Sequence, residues 1–317
     1  MQKIYYGAPG TGKSFKIDKK LNDDSIPDDR IYRTTFHPEY SYSDFVGQLL
    51  PTVTKVPGGT STVTYKFSKG IFTRALEKAY EDTSKEVFLI IEEMSRGDCA
   101  AIFGDIFQLL DREKSGINKG YSRYFVSNEV IAKDIIALPN NHIKLPANFS
   151  IVGTVNTSDQ NVYVMDTAFK RRFEWEYIST KPKKSPVSIK EYMNNVNIEL
   201  NCKTGTKIVS WINLYGTLNI VISSEKYLDL GEDKQLGQFF IEFDDVTTQD
   251  EVKLKIQNKL LHFLWNDVHK ISYKKNFRLF TNKAYSFSDL YDMFENNEQI
   301  FSDEFFECIE LWEKNLL

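Results

Sequence analysis

Gly7-Ala8-Pro9-Gly10-Thr11-Gly12-Lys13-Ser14 is the stretch from which the rest of the chain is read. It matches GxxxxGK[ST] at every fixed position, follows a short apolar run and opens a stretch at helical spacing, the setting this pattern requires. The residue types follow from the task. Glycines let successive backbone N–H groups turn inward around a phosphate chain, where a Cβ would intrude. The helix N-terminus adds its partial positive charge. Lys13 can reach the β- and γ-phosphates as a point charge, and the Ser14 hydroxyl can ligate Mg²⁺. Gly7, Pro9, Gly10, Thr11, Gly12, Lys13 and Ser14 are therefore expected to hold the phosphates of a nucleotide, GTP or ATP.

Outward from that loop, short apolar runs alternate with helical stretches from Met1 to about Ile178, which predicts an α/β domain with a mostly parallel sheet. Strands are expected at Lys3–Tyr6, Ile31–Thr35, Val87–Ile91, Phe149–Thr154 and Glu174–Ile178. Helices are expected at Lys13–Leu21, Tyr42–Leu50, Gly70–Asp82, Cys99–Arg112 and Asp166–Arg172. Val53–Lys66, broken by Pro57-Gly58-Gly59, reads as an inserted β-hairpin, and a second hairpin is expected over Tyr121–Ala132. The Pro- and Lys-rich stretch Thr180–Pro186 reads as a linker. Beyond it Val252, Ile256, Leu260, Phe263, Leu264 and Val268 share one face of a helix over Val252–Ile271, and Phe301–Leu317 reads as a closing amphipathic helix. The expected organisation is an α/β domain over residues 1–180 and a smaller, mainly helical domain over 187–317.

The 317 residues, 41% of them hydrophobic, suffice for a substantial core and argue against wholesale disorder. Lys and Arg number 40 against 44 Asp and Glu, a net charge of −4, which argues against a chain-wide polybasic nucleic-acid binder and permits a local basic groove. No apolar run approaches the roughly 18 residues of a membrane span. The opening MQKIYYGAPG has no charged and apolar leader pattern, so a soluble cytoplasmic protein with no membrane partner is expected. Cys99, Cys202 and Cys308 are scattered and imply neither a disulfide framework nor a zinc site.

Hydrolysis needs more than a phosphate loop: a carboxylate on the metal side and a group that activates water. Phe88-Leu-Ile-Ile-Glu92-Glu93 supplies both at the carboxyl end of a buried strand, where ligands of open α/β sheets bind. Glu92 is expected in the Mg²⁺ shell, and Glu93 is expected to polarise the attacking water. Val152-Gly-Thr-Val-Asn156 places an amide just past another core strand, within reach of the γ-phosphate or the water. Lys170-Arg171-Arg172-Phe173 closes a predicted helix, where cations also serve the helix dipole. Its catalytic reading is an arginine finger lent to a neighbouring subunit's nucleotide.

Taken in order, these motifs resemble the AAA+ NTPases, and more narrowly the McrB family of modification-dependent restriction systems. Thr35-Phe-His-Pro-Glu-Tyr-Ser-Tyr-Ser-Asp-Phe45 resembles the family's TFH…YSYEDF segment, and Ile90-Ile-Glu-Glu-Met-Ser-Arg96-Gly97 its IDEINRG block. Thr154-Val-Asn156-Thr-Ser-Asp159 resembles the signature MNTAD, Asp166 to Phe173 matches a DxAxxRRF element, and Leu236-Gly-Gln-Phe-Phe240 is a weaker echo of IGHSYF. The resemblance implies a five-stranded parallel sheet in the order 5-1-4-3-2 with a helical lid. It also implies nucleotide-dependent homo-hexamers, an McrC-like partner that stimulates hydrolysis and carries the nuclease, and contact with DNA through the assembled complex. Carried over by position, Glu93 is catalytic, Asn156 and Asp159 are the signature pair near the water, Arg171 or Arg172 is the finger, and Arg96 is a second trans-acting candidate.

The chain departs from the family pattern in places. Gln160 stands where an Arg usually follows the signature, Met94-Ser95 replaces Ile-Asn, and Glu92 replaces the commoner Asp. Only six residues precede Gly7, where restriction-type members often carry a DNA-reading domain, so the expectation is either that DNA recognition belongs to a partner or that the sequence has been cut short of such a domain. Two other readings stay open from sequence: a generic AAA+ ATPase that remodels protein partners, and a nucleotide-gated scaffold with little hydrolysis.

Overall fold

The computed structural model describes residues 1–54, 62–135, 139–158, 163–182, 194–243, 248–273 and 277–315. Its contacts divide the chain into two units, Met1–Tyr6 with Lys13–Tyr177, and Gly7–Gly12 with Ile178–Leu317.

In the first unit the elements are, in chain order, β1 (Gln2–Gly7), α1 (Lys13–Asp23), β2 (Ile31–Thr35), α2 (Tyr42–Phe45), β3 (Gly47–Thr54), β4 (Thr62–Lys69), α3 (Ile71–Glu81) and β5 (Val87–Glu92). There follow α4 (Cys99–Phe103), β6 (Val126–Ser127), α5 (Glu129–Asp134), β7 (His142–Ile143), β8 (Phe149–Asn156), α6 (Thr167–Lys170) and β9 (Glu174–Tyr177). Five strands form one sheet in the order β2-β5-β8-β1-β9. β2 with β5, β5 with β8, and β1 with β9 pair in parallel. The interior position of β5 explains its unbroken apolar run: consecutive residues Val87–Ile91 are all buried, so both faces of the strand are covered.

α3 turns Phe72, Ala75, Leu76 and Ala79 to the core at the spacing of one helix face. An aromatic chain continues that core, with Phe45 centred 5.5 Å from Phe72 and 4.9 Å from Phe103, and Phe103 5.4 Å from Phe169. Arg112 ties the strand ends together by donating to the carbonyls of Gly120, Leu145, Pro146 and Phe149 and to the Gln2 side chain.

Several expectations are corrected here. The helix expected over Tyr42–Leu50 stops at Phe45, because Gly47 takes φ +133 and the following residues pair with β4 in a ladder from Gly47↔Lys69 to Thr54↔Thr62. The turn expected at Pro57-Gly58-Gly59 lies outside the described residues. Cys99–Arg112 is one α-helical turn followed by 3₁₀ structure over Gly104–Leu110, with Gly104 at φ +49 marking the change. No hairpin forms over Tyr121–Ala132. Val126–Ser127 pairs instead with His142–Ile143, and the Asn128 side chain accepts from the Ile131 N–H at 3.1 Å to cap α5.

The second unit contains the hairpin β10 (Asn197–Cys202) and β11 (Gly205–Ser210), then α7 (Trp211–Ser223), α8 (Gln249–Lys255), α9 (Phe287–Glu295) and α10 (Asp303–Glu313). The hairpin was not expected from sequence, although Ile198 and Leu200 alternate inward as strand residues do. α7 is its central helix, with Trp211, Leu214, Tyr215, Leu218, Val221 and Ile222 all buried. The helix expected over Val252–Ile271 begins as α8 and widens to π-helical turns at Ile256–Leu261 and Leu264–His269. Of the expected linker, residues 183–186 lie outside the described residues.

Candidate nucleotide site

The carboxyl edge of the sheet gathers the polar groups of the first unit. β5 ends at Glu92, and the next residue, Glu93, takes a left-handed conformation with φ 53 and ψ 44. A non-glycine residue in that region costs free energy, and such residues concentrate where a side chain must be aimed. Glu93 is so aimed: both of its carboxylate oxygens accept from the Asn156 Nδ2 at 2.7 Å. The Arg96 Nε stands 3.6 Å from the same carboxylate.

Glu92 is held from three sides. Its Oε2 accepts from the Ser14 hydroxyl at 3.1 Å and from the Thr154 hydroxyl at 2.5 Å, and its Oε1 accepts from the Arg33 Nη1 at 2.8 Å. Arg33 is paired in turn with Asp18. Thr154 also accepts from the Glu93 N–H at 3.1 Å, so one hydroxyl bridges the two acids. A continuous network therefore runs Ser14–Glu92–Thr154–Glu93–Asn156.

Thr154 and Arg33 were missed from sequence. The available signal was period-two spacing: Thr154 and Asn156 lie two apart on β8 and share a face. Arg33 could be found only with the register, since β2 pairs with β5 as Arg33↔Ile90 and Thr35↔Glu92.

Lys13, 8% exposed, and Ser14 open α1 in the first unit. The segment 7–12 between β1 and α1 takes positive φ at Gly10, +73, and Gly12, +88, conformations that side chains resist. The Thr11 hydroxyl donates to the Ala8 carbonyl at 3.0 Å.

The two candidate fingers differ in surroundings. Arg172 donates from Nη2 to Asp111 at 2.6 Å and from Nη1 to the Ala168 carbonyl at 2.7 Å, with its guanidinium 4.0 Å from the centre of the Phe107 ring. Arg171 is exposed. Asp159 and Gln160 lie outside the described residues. Cys99 is buried, and that burial pushes its thiol up to about 12, so it is not a nucleophile at neutral pH. Among the described residues no helix is long and apolar enough to cross a membrane.

The family described as AAA domain (dynein-related subfamily) matches residues 4–173. The chain belongs to the AAA family. Within it the chain is McrB-like. It is similar to the type II restriction enzyme BsuMI component YdiS of Bacillus subtilis (strain 168), 32% identical over 95% of this chain and 87% of that protein. It is also similar to the type IV methyl-directed restriction enzyme EcoKMcrB subunit of Escherichia coli (strain K12), 26% identical over 78% of this chain. That second match spans 49% of the subunit's length.

Proposed function

We propose that this McrB-like AAA protein is the nucleotide-hydrolysing, ring-forming motor subunit of a restriction complex, using GTP or ATP with Mg²⁺. One observation carries the reading: the Glu93 carboxylate is aimed by Asn156 and joined through Thr154 to Glu92 and Ser14. An acid that touches a phosphate-loop hydroxyl, joined through Thr154 to a second acid at the same sheet edge, is the equipment of hydrolysis, beyond that of binding.

The donor set suits a hard divalent cation, since the Ser14 hydroxyl and the Glu92 carboxylate offer oxygens only. When bound, Mg²⁺ would neutralise charge on the β- and γ-phosphate oxygens. Gly7, Pro9, Gly10, Thr11, Gly12 and Lys13 hold the triphosphate. Glu93 takes the proton of the attacking water as the water oxygen bonds to the γ-phosphorus. The bond from that phosphorus to the bridging β–γ oxygen breaks, releasing the nucleoside diphosphate and phosphate. Asn156 keeps the carboxylate directed, with Asp159 as its signature partner near the water.

The trans finger is assigned to Arg171, because Arg172 already serves Asp111 and the Ala168 carbonyl. The residues from 187 to 317 form the lid domain. The working assembly is a homo-hexamer with an McrC-like stimulatory nuclease subunit, and DNA is engaged through that complex. The two relatives, both restriction components by name, support this direction.

Sedimentation velocity with Mg²⁺ and a slowly hydrolysed GTP or ATP analogue tests the assembly. A nucleotide-dependent shift from monomer toward hexamer is expected with at least one of them. A monomer throughout, despite measured binding, contradicts the ring and favours the gated scaffold.

A further inference from the structure

Leu236-Gly237-Gln238-Phe239-Phe240 runs against the phosphate loop, backbone to backbone. The Gly237 N–H donates to the Pro9 carbonyl at 2.9 Å, and the Phe239 N–H donates to the Gly10 carbonyl at 2.7 Å. The Phe239 ring lies on Gly12, where an added Cβ would stand 3.3 Å from Cε2. A Cβ at Gly237 would fall on the backbone of Gly10 and Thr11. One at Gly10 would fall on the Phe240 nitrogen. Neither backbone leaves room for a side chain. Both bonds use carbonyls of the loop, and in a trans peptide the C=O points away from the N–H that a phosphate would take.

The segment is itself held by buried polar side chains. Asn219 on α7, 5% exposed, accepts from the Leu236 N–H and donates to the Leu236 carbonyl, both at 2.7 Å. The Trp211 indole N–H donates to the Gln238 carbonyl at 2.7 Å. Asn194, 1% exposed, donates to the carbonyls of Gln238 at 2.8 Å and Ile241 at 3.0 Å, and accepts from the Phe243 N–H at 2.7 Å. Buried polar groups destabilise a fold unless bonded, so two buried amides and one indole N–H bonded to one short segment fix it in a single conformation.

We propose that Leu236–Phe240 is a brace that sets the conformation of the phosphate loop, with Gly237 and Phe239 as positioning residues for triphosphate binding. The proposal rests on the nucleotide-binding reading above. Asn194, Trp211 and Asn219 set the brace, and the brace sets the loop. By reciprocity, a nucleotide that orders the loop also orders 236–240.

The test compares wild type, Gly237→Ala and Phe239→Ala by titration with fluorescent GTP and ATP analogues, alongside amide hydrogen exchange of the wild type. The Gly237 φ is not positive, so alanine there is opposed by the contact with the loop rather than by its own backbone. Gly237→Ala is expected to weaken binding by about tenfold or more, because a small displacement of a pre-formed site is costly. Phe239→Ala, which keeps both backbone bonds, is expected to lose less while melting near the wild-type temperature without nucleotide. In the wild type, nucleotide is expected to slow exchange of the 237 and 239 amides together with the loop. Wild-type affinity in both variants, or unchanged exchange at 236–240 while the loop is protected, overturns the brace. Should Gly237→Ala not fold, the Phe239→Ala affinity and the wild-type exchange still decide. Absence of binding by the wild type would instead refute the nucleotide reading itself.

Discussion

At the scale of single residues, the site depends on groups that act through one another. Glu93 occupies a left-handed conformation, Asn156 supplies the amide that fixes its carboxylate, and Thr154 links it to Glu92. The longer Glu92, in place of the commoner Asp, reaches the Ser14 hydroxyl directly and is steadied by Arg33. The neighbouring arginines should separate cleanly on substitution. Arg172→Ala removes the charged partner of the half-buried Asp111 and the bond to the Ala168 carbonyl, and should lower stability by about 2 kcal/mol, read by denaturant unfolding. Arg171→Ala should leave stability unchanged and lower the hydrolysis rate of the assembled protein by about 10³-fold, the scale of a lost finger. The phosphate loop, Glu92, Glu93 and Asn156 were legible in the sequence because each motif is contiguous and sits at a strand end. Thr154 and Arg33 were not, because their roles arise from the order and register of β2, β5 and β8, which no local pattern encodes.

At the scale of elements, hydrophobic patterning identified what was deeply buried. The run Val87–Ile91 could only be an interior strand, and Ile31–Thr35 is the strand β2 as read. The pattern failed where backbone conformation overrides side-chain spacing. Gly47 turns the chain out of α2 into β3, and Gly104 turns α4 into 3₁₀ structure. The long helix of the second unit carries a titratable group on its π-helical end. His269 lies 4.8 Å from Trp265 and 5.4 Å from Phe280, ring centre to ring centre, and burial, with Arg278 nearby, lowers its pKa below the usual 6.5. The unfolded chain therefore takes up that proton first as pH falls. Stability present above 6.5 is lost as pH drops through the folded value. Thermal unfolding followed from about pH 7 down to about pH 5.5 should show a falling midpoint that His269→Phe flattens, since phenylalanine keeps the ring contacts without the charge.

At the scale of the whole molecule, the sequence divides the chain near residue 180, whereas the contacts count Gly7–Gly12 with the residues from Ile178 onward. That assignment was invisible from sequence, because the loop is contiguous with β1 and α1 and its packing partner lies more than two hundred residues later, at Gly237–Phe240. In the proposed function this McrB-like chain hydrolyses the nucleotide it binds, with Glu93 activating the water. The direct measurement is a single-turnover assay with protein in excess over labelled GTP or ATP and Mg²⁺, comparing wild type with Glu93→Gln after both are shown to bind. Conversion to the diphosphate by the wild type and retention of intact triphosphate by Glu93→Gln are expected. Equal cleavage by the two proteins, or intact nucleotide held by both, would contradict that function.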